Sequence, residues 1–70
     1  MIDKAHPLRP LFVEQREVLI SQARLYRRWR GAAKMPAEAR ELFGELETAV
    51  ALAIRAIEGR VDIARPWSGD

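Results

Sequence analysis

The sequence predicts an all-α fold: an antiparallel two-helix hairpin that pairs with a second copy into a four-helix-bundle homodimer and ends in an extended C-terminal tail. Three observations carry this expectation. Two segments of about twenty residues have no internal proline and keep an apolar repeat near 3.6 residues, the period of one helix face. Proline and glycine stand at their ends, Pro10 and Gly31 for the first, Pro36 and Gly59 for the second. The short stretch between them, Gly31 to Met35, forces the second helix back alongside the first.

The chain reads as one unit over residues 1–70, with helices at 10–30 and 36–58, a turn at 31–35 and a tail at 59–70. Pro10 suits the first helical position, where a helix leaves the N–H unbonded anyway. Along this helix Leu8, Leu11, Phe12, Leu19, Gln22, Ala23, Tyr26, Trp29 and Ala33 point in one general direction at ~100° per residue, so this stripe is the expected buried face. Val18 flanks it, Gln15 and Arg30 interrupt it, and Val13 and Ile20 fall outside it.

The second helix opens with Glu38 in its first turn, where the helix dipole favours an anion. Its apolar arc is wider: Ala39, Leu42, Phe43, Leu46, Ala49, Val50, Ala53, Ile54 and Ile57, with Leu52 outside. Gly44 within it costs about 1 kcal/mol relative to alanine and permits close approach of another backbone. One facing helix cannot cover an arc this wide. A twofold pairing of hairpins is the expected remedy, with Phe12, Leu19, Tyr26, Trp29, Leu42, Phe43, Leu46, Val50, Ile54 and Ile57 as core and dimer residues. In the tail, Val61 and Ile63 alternate with Asp62, an extended pattern, and Pro66 ends any regular element. Trp67 is expected to fold back on the bundle or, alternatively, to anchor in another chain.

Composition narrows the function. Apolar residues make up 49% and charged ones 31%, the profile of a folded protein. With no cysteine there are no disulfides, as suits a reducing cytoplasm, and the single histidine, His6, makes a metal site or cofactor unexpected. The longest apolar run, residues 49–54, is far short of the ~20 residues of a membrane span. The opening MIDKAHPLRP has no secretion-signal pattern, so the chain reads as cytoplasmic. Ser21, Thr48 and Ser68 have no histidine at catalytic spacing and there is no glycine-rich phosphate loop, so neither an enzyme nor a small-molecule substrate is expected.

Net charge is only +2, but the signs separate by helix. Residues 9–30 hold six arginines against two glutamates, and residues 36–58 hold five glutamates against two arginines. Such complementarity orients a pairing more than it stabilises it. Arg27, Arg28, Arg30 and Lys34 cluster where the first helix ends, which suits its dipole. Arg9, Arg16, Arg24 and Arg27 share one flank with Val13 and Ile20, a mixture suited to an acidic, partly apolar protein surface. The expected partner-binding residues are therefore Arg16, Ile20, Arg24, Arg27, Arg28 and Trp67, and the expected function is a non-enzymatic, protein-binding inhibitor or adaptor. A nucleic-acid-associated dimer using the same arginines and Lys34 ranks second. A chaperone of secretion or antitoxin type within a heterocomplex is a third expectation.

In size, lack of cysteine and hairpin layout, Pro10–Arg30 and Pro36–Glu58, the chain resembles small phage-encoded proteins that disable host factors. The anti-quorum-sensing type, a helical-hairpin dimer, is the nearest of these. The resemblance implies inhibition of a host transcription regulator or another host protein, and carries over no individual binding residue.

Overall fold

In a computed structural model that describes residues 1–69, two helices pack against each other and no strand forms among the described residues. Helix α1 spans Arg9–Arg30 and α2 spans Ala37–Glu58. Pro10 is the second helical residue of α1 rather than the first, still within the turn whose N–H groups lack helical acceptors. Pro36 stands just before α2 with φ −58° and ψ 148°, and Ala37 opens the helix. Gly31 and Gly59 follow the two helices as right-handed residues, φ −86° and −76°, and donate to Arg27 O and Arg55 O at 3.2 and 2.9 Å. Neither stop uses the left-handed conformation open to glycine. Met35 is biased away from helix because it precedes Pro36.

Buried Arg16, Ile20 and Ala23 define the face of α1 that meets α2. Continued at the same alternating spacing of three and four, this seam takes in Arg9, Val13, Arg27 and Arg30. On α2 the corresponding line is Phe43, Glu47, Val50, Ile54 and Ile57, prolonged by Val61 beyond the helix end. Ile54 is completely buried and Val61 nearly so. Ion pairs cross the seam antiparallel: Arg16 with Glu58 near one end, Arg27 and Arg30 with Glu47 toward the other.

This corrects the expected orientation of α1. Ile20 was placed outside the seam with Val13, yet it is only 5% exposed, and Val13 is half-buried. Arg16, expected on an outer flank, is 8% exposed. Conversely Leu11, of the expected buried stripe, and Leu42, of the expected core and dimer set, are 58% and 54% exposed in the single chain, and Leu8 and Trp29 are also exposed. Apolar periodicity marks a face that avoids water, and α1 has two neighbouring faces of that kind. The inner one is built of small or β-branched residues between arginines whose heads find partners.

The ends of the chain close the end of the hairpin away from the α1–α2 connection. Ile2 pairs with Val61 in an isolated parallel bridge, with Ile2 N to Arg60 O at 2.6 Å and Asp62 N to Ile2 O at 2.8 Å. The molecule is long and thin, 47 × 18 × 13 Å, with a radius of gyration of 14.2 Å. A compact chain of this length has a radius of about 11 Å. The extra surface follows. The chain exposes 5205 Å², where a compact 8.0 kDa monomer exposes about 4,450 Å².

Candidate interaction surfaces

A positional rule divides the hairpin into two sides. Residues immediately before each seam position of α1 are Leu8, Phe12, Gln15, Leu19, Gln22, Tyr26 and Trp29; those immediately after are Pro10, Glu14, Glu17, Ser21, Arg24 and Arg28. On α2 the preceding set is Leu42, Leu46, Ala49, Ala53 and Ala56, and the following set is Gly44, Thr48, Ala51, Arg55 and Glu58. A step of one residue rotates a side chain by ~100°. Antiparallel helices wind in opposite senses when seen from one end, so both preceding sets emerge on the same side of the hairpin. One side is apolar apart from two glutamines. The other is polar or small.

The tail lies on the polar side. Arg16 reaches Glu58 with Nε at 2.7 Å and Nη2 at 2.6 Å, donates Nη2 to Arg65 O at 2.9 Å, and meets Glu17 Oε1 through Nη1 at 3.2 Å. The same Glu58 Oε2 accepts the Trp67 N–H at 2.6 Å. Arg9 donates Nε and Nη2 to Asp62 O at 3.0 and 2.9 Å, and Arg27 Nη2 donates to Gly69 O. Three arginines of the α1 seam thus hold three main-chain carbonyls of the tail. Charged donors make such bonds stronger than neutral ones, which explains how a segment with few buried side chains is kept in place. No buried side-chain nitrogen or oxygen lacks a partner among the described residues.

Beside the tail is a cleft of about 430 Å³ lined by Arg27, Arg30, Glu47, Thr48, Leu52, Arg55 and Trp67. Arg27 and Arg30 each meet Glu47 at 3.0 Å, so two cations share one carboxylate. Further along α1, Ser21, Arg24, Leu25 and Arg28 border a shallower hollow.

On the apolar side, Tyr26, Trp29 and Phe43 cluster next to the connection, with ring centroids 5.5–6.3 Å apart. Phe12, Leu19 and Leu46 are half-buried where they border the seam, while Leu42, Ala49 and Ala56 are exposed on the outer part of α2. Val18 and Leu11 extend the apolar surface around the far edge of α1. The long-range hydrogen bonds of the tail described above, from Arg9, Arg16, Arg27 and Glu58, go to seam residues and to the polar side.

The structure therefore splits the expected partner-binding set. Arg24 and Arg28 are exposed on the polar side. Arg16 and Ile20 are inside the hairpin, Arg27 bonds Glu47 and the tail, and Trp67 rests half-buried on its own chain. The residues expected in the core divide as well: Ile54 is buried, Phe12, Leu19, Tyr26, Phe43, Leu46, Val50 and Ile57 are half-buried, and Trp29 and Leu42 are exposed. Glu58 and Glu47 were not singled out by sequence, since a glutamate on a helix reads as solvated charge. The available signal was their opposition to arginines in an antiparallel hairpin. Against known protein families, curated proteins and solved structures, the chain finds no match.

Proposed function

We propose that this chain is a non-enzymatic, protein-binding regulator, an inhibitor or adaptor, whose working form is a homodimer joined through the apolar sides of two hairpins. The observation that carries this reading is the contiguous apolar side, with Leu8, Leu11, Val18, Trp29 and Leu42 all exposed. The described residues leave this face of a hairpin one helix-layer thick uncovered. Surface in excess of a compact monomer is roughly 750 Å², close to the ~800 Å² that each partner contributes to a stable interface. A second copy is self-complementary by symmetry, and two such hairpins make a four-helix bundle.

Once that side is covered, the polar side faces outward and presents Arg24 and Arg28, both exposed, to a second, acidic protein. Nucleic acid is the weaker reading because Arg9, Arg16, Arg27 and Arg30 are engaged within the chain.

Sedimentation at micromolar concentration tests the dimer. The wild type should run at twice the mass of one chain. The double substitution Leu42→Arg with Ala49→Arg, at two sites exposed in the single hairpin, should run as a helical monomer. A wild-type monomer, or a variant that still dimerises, refutes the interface. Partner recognition has its own test. Arg24→Glu with Arg28→Glu should abolish capture of an acidic partner while leaving dimerisation intact.

A further inference from the structure

We infer that the groove on the polar side of the hairpin, floored by Arg16 and Glu58, is a binding site for a proline-containing peptide segment and is filled here by the chain's own tail. Its grip is on main chain. The carbonyl of Arg65 accepts from Arg16 Nη2 at 2.9 Å, and the N–H of Trp67 donates to Glu58 Oε2 at 2.6 Å. Those two groups flank Pro66. Ala64 and Arg65 form a bend that leads into Pro66, and this carbonyl and this N–H both reach the one side-chain pair below them.

The Arg16–Glu58 pair accordingly offers one donor and one acceptor to main-chain groups two residues apart. Both side chains are nearly buried, 10% and 12% exposed, and the 2.6 Å ion pair between them holds the donor and acceptor in position. Arg9 and Arg27 prolong the grip in both directions through Asp62 O and Gly69 O. Nothing in the grip uses the nitrogen of the central residue, so proline fits there without an orphaned donor.

A site that reads main chain accepts other segments of similar course. Ala64, Arg65, Pro66 and Ser68 are exposed, and no described tail residue beyond Val61 is fully buried. This part of the tail is held by hydrogen bonds from Arg16, Glu58 and Arg27, and local opening of such a segment costs less than unfolding the whole molecule. Selectivity comes from the cleft alongside, which has about 430 Å³ of open space even with the tail in place. Its wall offers the Trp67 ring position and three arginines against the single carboxylate of Glu47. The ligand class that fits is a peptide with proline, then an aromatic residue, with acidic residues further along. This site is on the side away from the self-association surface and does not depend on it.

The probe is a fluorescein-labelled IARPWSDD peptide, followed by anisotropy with the full chain. A tethered tail competes at an effective concentration on the order of millimolar, so the wild type should bind the probe weakly. Pro66→Gly with Trp67→Gly, which loosens the tail, should bind it at least tenfold more tightly. Trp67→Ser alone should move affinity in the same direction, and serves if the double variant loses its helical circular-dichroism spectrum. Adding Glu58→Gln should remove the gain, and a probe with glycines in place of proline and tryptophan should not bind. Helical tail variants that bind no better than the wild type overturn the site. So does displacement of the probe by a random oligonucleotide as effectively as by unlabelled peptide, which would make the groove a phosphate site.

Discussion

Arg16 occupies a seam position where an aliphatic residue would be ordinary. Its guanidinium has Glu58, Glu17 and Arg65 O around it, and Glu58 in turn holds the Trp67 N–H. Removing one member of a nearly buried pair leaves the other charge desolvated and unpaired, which costs about 3–5 kcal/mol. Glu58→Ala should lower unfolding free energy by that order, comparable to the ~3–5 kcal/mol a single small core supplies. In urea melts the variant should be largely unfolded before denaturant is added. Arg27→Ala is the contrast. That side chain is 44% exposed where it meets Glu47, and solvent screening limits the loss to about 0–1 kcal/mol. Equal losses in the two variants would show that burial does not set the strength of these pairs. Sequence reading identified these arginines as a group but gave them an outward role. Which arginines find carboxylates depends on the other helix, 20 residues away for Arg27 with Glu47 and 42 for Arg16 with Glu58.

At the scale of elements, helix ends were legible because proline, glycine and the pre-proline position act locally; each observed helix begins one residue from its expected start. Rotation about the helix axis was not legible. The stripe from Leu8 to Trp29 has the larger side chains, so it reads as the core, while the seam alternates arginines with Val13, Ile20 and Ala23. Burying Arg16 is tolerable only after α2 and the tail have supplied its partners. Gly44 gives a sharper test of helix physics. Expected to admit another backbone, it instead faces the Arg30 side chain, and an added Cβ would sit 3.6 Å from Arg30 Cδ, an ordinary contact. Gly44→Ala should therefore stabilise the fold by about 0.5–1 kcal/mol through helix propensity alone. A higher urea midpoint with an unchanged slope would bear this out. A lower midpoint would mean that the space beside Arg30 is needed.

Over the whole molecule, shape decides what remains uncovered. Two 22-residue helices side by side form a layer 13 Å thin, and the tail can cover only one of its sides. The tail takes the polar side because the seam arginines and Glu58 bond its main chain. The apolar side, with Leu8, Leu11, Val18, Trp29 and Leu42, stays exposed in the single chain. If a second copy takes it, stability must depend on concentration, since dissociation accompanies unfolding. A tenfold increase in protein should raise Tm by about 5 °C, from roughly 1.4 kcal/mol spread over the unfolding entropy of two chains. A Tm independent of concentration between 1 and 100 μM (an experimental range on the order of that used for linkage) would exclude coupled dimerisation.

Sequence alone determined that there are two helices, where they turn, and that their apolar surface exceeds what one seam conceals. These follow from proline, glycine and periodicity, whose effects reach no further than a few residues. Only the tertiary structure decided which face of α1 is the seam, where the arginines point and which side the tail covers. Each of those choices balances the desolvation of a charged group against partners that folding brings from distant parts of the chain. Arg16 settles next to Glu58 and the Arg65 carbonyl for that reason, and no local pattern around residue 16 encodes it.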